Sequence, residues 1–161
     1  MSAQQPDPHP DMHGTASDPA GASPAMTWHA MERWLVESMG EMPRAAILDI
    51  GPAGGPIDDT EDVECAQIQS LSSETFLLRL STVVMSAPLL ASFSVPRSAL
   101  DTWFYDDVFD ECTHGYLMSR SRRRVAEIGV AWFRDRCGCA SPAALGCSYT
   151  EPTRLPHTEP R

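Results

Sequence analysis

Arg120, Arg122, Arg123 and Arg124 hold four of the chain's twelve basic charges within five residues, RSRRR. Guanidinium groups in such a run are suited to gripping phosphate or an acidic peptide through paired N–H donors. They stand at the start of a predicted helix, where the dipole disfavours cations, so helix stability does not account for them. The intramolecular reading, pairing with the acidic run just before, Asp106 to Glu111, is the preferred one, since two helices joined by a few residues usually pack side by side. On a helix Asp107, Asp110 and Glu111 lie on neighbouring faces and could share a hard cation. The same residues alternate with Phe104, Tyr105, Val108 and Phe109, as on any amphipathic helix, so a solvated acidic face is the preferred reading. Cys137, Cys139, Cys147 and His157 are separated by one, seven and nine residues. That departs from the paired spacing of structural zinc sites, and no metal is expected. Cys112 and His114, two residues apart near a helix end, point in different directions and make no catalytic pair.

The stretch AILDIGPAGGP, residues 46–56, resembles the first motif of Rossmann-like S-adenosylmethionine-dependent methyltransferases, where a strand ending near an acidic residue leads into closely spaced glycines. The resemblance implies cofactor binding by Asp49, Gly51 and Gly55. Ala53 stands where a glycine is usual, and Pro56 with the acidic residues after it offers no apolar stripe for the required helix. A strand running into a long hairpin loop is preferred, and no cofactor is expected. The DDVFD run similarly resembles the aspartate-rich motif of isoprenoid synthases, without their second acidic motif.

The elements that must position these residues form one unit. A chain of 161 residues supports one core of ordinary size. Residues 1–24 carry five prolines and three aspartates, residues 149–161 three prolines, and both are expected to be disordered tails. The single domain spans 25–148. Trp28, Met31, Leu35 and Met39 recur at helical spacing, with Gly40 placed as a C-terminal cap. AAILDIG is a strand; VECAQIQS and ETFLLRLSTVV form a hairpin, the second with Phe76, Leu78 and Leu80 on its better buried face. LLASFSV, 89–95, is a fourth strand candidate. A helix from Ser98 to Gly115 carries Phe104, Val108 and Cys112, and a last helix runs from near Ser119 through Val125, Ile128 and Trp132 to Gly138. The expected class is α+β: an N-terminal helix, a three- to four-stranded antiparallel sheet, and two C-terminal helices packed on one face.

A formal charge of -10 disfavours general binding to nucleic acid. No apolar stretch approaches the length of a membrane helix and no targeting segment is visible, so a cytoplasmic protein with reduced cysteines, without membrane contact, is expected. The order helix, antiparallel strands, helices resembles the type III secretion chaperone-like fold, including the YbjN-like and TY-Chap groups of bacterial proteins. TWHAMERWL, the strand holding Ala66, Gln67 and Ile68 before TFLLRL, and the end VAWFRDRCGCASPAAL carry the resemblance. It implies a small protein that binds another protein, without cofactor or catalysis. Trp34 and Trp103 lie off the main apolar stripes and, with Arg120, Arg122, Arg123 and Arg124, are the expected partner-binding residues. The expected function is a chaperone-like, immunity-like or adaptor module whose partner is another protein or a second copy of itself. The alternative is a small methyltransferase. A ligand that binds the folded state must raise its stability. The binding module is therefore expected to show no thermal shift with S-adenosylmethionine, and a shift of several degrees would favour the alternative.

Overall fold

The computed structural model describes residues 25–54, 62–71, 74–88 and 95–151. The expected tail before residue 25, residues 152–161 of the expected C-terminal tail, Gly55, most of the acidic loop 57–64, most of LLASFSV and His157 lie outside the described residues. The expected tail over 149–161 is corrected at its start, because Tyr149 and Thr150 pair as strand with Leu48 and Ile47. Among the described residues six strands form one antiparallel sheet in the order β4-β5-β3-β2-β1-β6. Their ranges are β1 Ile47–Pro52, β2 Cys65–Ser70, β3 Phe76–Ser81, β4 Trp103–Phe104, β5 Tyr116–Ser119 and β6 Leu145–Thr150. Two helices, α1 (Trp28–Glu41) and α2 (Arg122–Ala131), pack side by side.

Helix α1 starts where the Thr27 hydroxyl accepts the Ala30 N–H, 3.1 Å, which satisfies one of the free donors of the first turn. Met31, Leu35 and Met39 are its buried stripe. They pack with Val125, Ala126 and Val130 of α2 and with Leu48, Ile50, Ile68, Phe76, Leu78 and Leu80 from the sheet. Gly40 is not the expected cap, because the helix continues to Glu41 and is capped at Met42. A side chain at Gly40 would collide with the Arg122 guanidinium, so its missing Cβ makes room for a cation at the end of α1.

The expected sheet of three or four strands and the pair of C-terminal helices are corrected. Helix α2 is followed by a single π-type turn, Trp132–Arg136, in which the Cys137 N–H reaches the Trp132 carbonyl. Gly138 then reverses the chain at φ 65°. The helix expected over 98–115 does not form. Arg97–Ala99 is one 3-10 turn, β4 follows, and 105–114 is irregular. The reason lies in the aspartates, whose side chains bond locally and compete with helix formation. Asp106 accepts the Val108 N–H, 3.2 Å, through one oxygen and the Tyr116 hydroxyl, 2.9 Å, through the other. Asp101 adopts φ 58° and accepts the Ser119 hydroxyl, 2.6 Å. The apolar recurrence instead folds Phe104, Phe109 and Cys112 over Leu77, Tyr116 and Met118, a second core on the sheet face away from the helices. Strand β3 is consequently buried on both faces rather than one.

Gly115, just before β5, sits close against β4. At φ 94°, an added Cβ would lie 2.5 Å from the Phe104 carbonyl oxygen and 2.6 Å from Trp103 Nε1. Gly115→Ala is expected to lower unfolding free energy by at least about 2 kcal/mol, from backbone strain and steric overlap together. Urea denaturation checks this, and a change within experimental error would contradict the packing described.

Candidate functional site: the end of the first helix

Pro43 follows the end of α1 and cannot extend it. The turn after it is pinned to the sheet: the Ala46 N–H reaches the Pro43 carbonyl at 3.1 Å, the Ala45 N–H reaches the Ser70 carbonyl at 2.7 Å, and the Ser70 N–H returns to the Ala46 carbonyl at 3.0 Å. Arg44 is held at this turn. On the facing side, the Ser121 hydroxyl caps α2 by accepting the Arg124 N–H, and the Ser121 N–H is bound by the Ser119 hydroxyl. Arg120 and Arg122 flank that cap. The three arginines line one cleft of about 610 Å³, with Met39, Gly40, Met42, Phe76 and Glu74 among the other walls.

The electrostatics of this cleft differ from the rest of the chain. Among the described residues no carboxylate oxygen lies within 4.0 Å of Arg44, Arg120 or Arg122. The other two arginines of the run are paired: Arg123 with Glu127 at 2.7 Å and Arg124 with Asp101 at 3.7 Å. Neither reaches Asp106 to Glu111, so the expected match between the basic run and that acidic segment is absent. Helix α1 has no basic residue in its last turn, and Arg122, set against Gly40, supplies one from the neighbouring helix.

Around Met42 a second depression begins. Trp34, Ser38, Glu41, Met42, Leu48 and Tyr149 line a groove of about 340 Å³ beside β6. Strand β6 is the outermost strand on this side of the sheet, exposed from Cys147 to Thr150, and its outer edge is unpaired among the described residues. Trp34 is half-buried at this groove. Trp103 lies across the sheet on β4, half-buried, with its ring edge-on to Tyr105 at 5.9 Å and its Nε1 without a partner. The structure therefore brings Trp34, Arg120 and Arg122 to one end of α1 and leaves Trp103, Arg123 and Arg124 elsewhere. Arg44 was not legible as a partner of these residues, since no local spacing links it to residues 120–122.

Asp49 and Gly51 of the methyltransferase-like stretch lie on β1, which runs antiparallel to both β2 and β6. A Rossmann-like site needs a parallel strand pair with a crossover helix. Asp49 instead begins a buried polar row across the sheet. Gln67 Nε2 donates to Asp49 Oδ1 at 2.8 Å, and Arg79 donates to Gln67 Oε1 through Nε at 3.1 Å and through Nη2. None of the thiols is arranged as a nucleophile. Cys112 is buried and donates to the Gly115 carbonyl at 2.9 Å, while the His114 ring lies tilted against Trp132, 4.8 Å between ring centres. Burial pushes Cys65 and Cys137 up to about 11, so both are protonated at neutral pH. Among the described residues no group of three or more His, Cys, Asp or Glu could hold a metal ion, and no helix is long and apolar enough to cross a membrane.

Burial also raises the Asp49 carboxyl above its ordinary 3.8, against the opposing effects of Gln67 and Arg79. Folding thus favours its protonated form. The contribution to stability is full below 3.8 and is lost as pH rises through the raised value. Asp49→Asn keeps an acceptor for Gln67 and removes the titration. The stability of this variant relative to wild type is expected to increase as pH rises above about 4. Urea midpoints measured across that range test this, and a pH-independent difference would rule it out.

Protein-family models, curated proteins and solved structures yield no match to this chain, so the reading of the site rests on its residues and geometry.

Proposed function

We propose that the chain is a non-enzymatic protein-binding module, of the chaperone-like, immunity-like or adaptor kind, that takes an extended acidic segment of a partner at the end of α1. One observation carries the reading: the apolar groove of Trp34 and Tyr149 and the cleft of Arg44, Arg120 and Arg122 share Met42 as a common wall. Interfaces combine an apolar anchor with polar contacts that fix register. Three guanidinium groups with no carboxylate within 4.0 Å among the described residues, and with Glu74 as the one acidic wall of their cleft, form a localised basic patch in a chain of charge -10. The unpaired edge of β6 offers backbone donors and acceptors to an added strand, with the groove beside it receiving a large side chain. A second copy of the chain is one partner able to present such a strand.

Selection from a library of displayed linear peptides tests the proposal. Bound peptides are expected to be rich in Asp and Glu beside a large apolar residue. The triple change Arg44→Ser, Arg120→Ser and Arg122→Ser is expected to weaken the selected peptide by tenfold or more, since one charge-assisted hydrogen bond is worth roughly 1.5–3 kcal/mol. Arg123→Ser, on a residue paired within α2, serves as the control with little effect. Peptides without acidic enrichment, or unchanged affinity in the triple variant, would overturn the proposal.

A further inference from the structure

On the sheet face away from the helices, a cleft of about 410 Å³ opens between Ser86–Pro88 and Val108–Glu111. Arg79, only 3% exposed, contributes to its wall. Its Nε and Nη2 are taken by Gln67, Nη2 also donates to the Ser86 carbonyl at 2.6 Å, and its guanidinium lies 5.1 Å from the Phe109 ring centre. Nη1 makes no hydrogen bond to the described residues.

Negative charge lines the same cleft. Glu111 Oε2 accepts both the N–H and the hydroxyl of Ser86, which hold the carboxyl below its ordinary range and keep it ionised. Glu111 Oε1 and the Asp110 carboxylate have no hydrogen-bond donor among the described residues. Arg79 shares the cleft with both carboxylates, yet no nitrogen–oxygen pair between them comes within 4.0 Å. Opposite charges held apart around a small cavity complement a ligand that carries both signs.

We propose that this cleft binds a small zwitterion of amino-acid type. Its carboxylate accepts from Arg79 Nη1, and its ammonium donates to Asp110 and Glu111. The body of the ligand rests on Val108 and Pro88. A simple anion meets two carboxylates there, and a simple amine leaves Nη1 unfilled. The volume is that of a small-metabolite site. This site is separate from the interface at the end of α1, so either can fail without the other.

Thermal unfolding with each of the standard amino acids, followed by calorimetry on the best, tests the proposal. At about a hundred times its Kd, a bound amino acid raises Tm by several degrees. Its methyl ester and its N-acetyl form are each expected to bind at least about tenfold more weakly, because each lacks one of the two charges. Arg79→Gln is expected to abolish binding but removes a buried structural group. Asp110→Asn, on an exposed residue, is expected to keep the fold and weaken the amino acid severalfold, with no effect on the N-acetyl form. No shift with any amino acid, blocked forms that bind as well as the parent, or unchanged affinity in Asp110→Asn would each overturn it.

Discussion

The positive charge of Arg79, set in the central part of the sheet and almost wholly buried, constrains everything around it. An unpaired charge in such a place costs several kcal/mol, so the fold must supply acceptors. Gln67 does so from β2, and its amide can accept from Arg79 only if its nitrogen faces Asp49 on β1. One side chain therefore orients three adjacent strands. The Ser86 carbonyl and the Phe109 ring complete the surroundings, which draws the segments after β3 and β4 across the sheet. The second core of Leu77, Tyr116 and Met118 closes beside them.

Helices on one face and irregular segments on the other leave β3 with no exposed side. Leu78 packs toward α1 and α2, and Leu77 toward Phe109 and Cys112. The two faces differ in chemistry. The helix face is an ordinary apolar core, whereas the opposite face mixes apolar contacts with the Asp49, Gln67 and Arg79 row. Buried polar networks of this kind fix register because a slip by one residue would bring Gln67 and Arg79 to the apolar face.

At the end of α1, the net negative chain gathers positive charge in one place. The C-terminal dipole of α1 is matched by Arg122, and the absence of a side chain at Gly40 allows that approach. Arg44 and Arg120 join it because backbone hydrogen bonds from Ser70 and the serine pair at 119 and 121 hold their turns in position. The result is a basic cleft next to an apolar groove, each built from different segments of chain.

Patterns with a single dominant period could be read from residues alone. The stripe of Met31, Leu35 and Met39, the hairpin of β2 and β3 and the run of Val125, Ile128 and Trp132 are local, since burying one face of a helix or strand leaves its period in the sequence. The segment 98–115 carried a helical period for another reason: Phe104, Phe109 and Cys112 are spaced to cover a sheet, Asp106 bonds to the Val108 N–H and to Tyr116, and Asp101 bonds to Ser119. Strand β5 has only four residues, and β6 is largely exposed, so neither shows a strong alternation. Their places depend on pairing with β3 and β1, partners far away in sequence. Composition and local periodicity determined the α+β class, the charge and the basic run. Tertiary structure alone decided that Arg44 joins Arg120 and Arg122, that Trp34 and Trp103 part, and that Arg79 lines a cleft together with Glu111 and Asp110. These are meetings between distant segments, and long-range pairing leaves no period for a reader of residues to find.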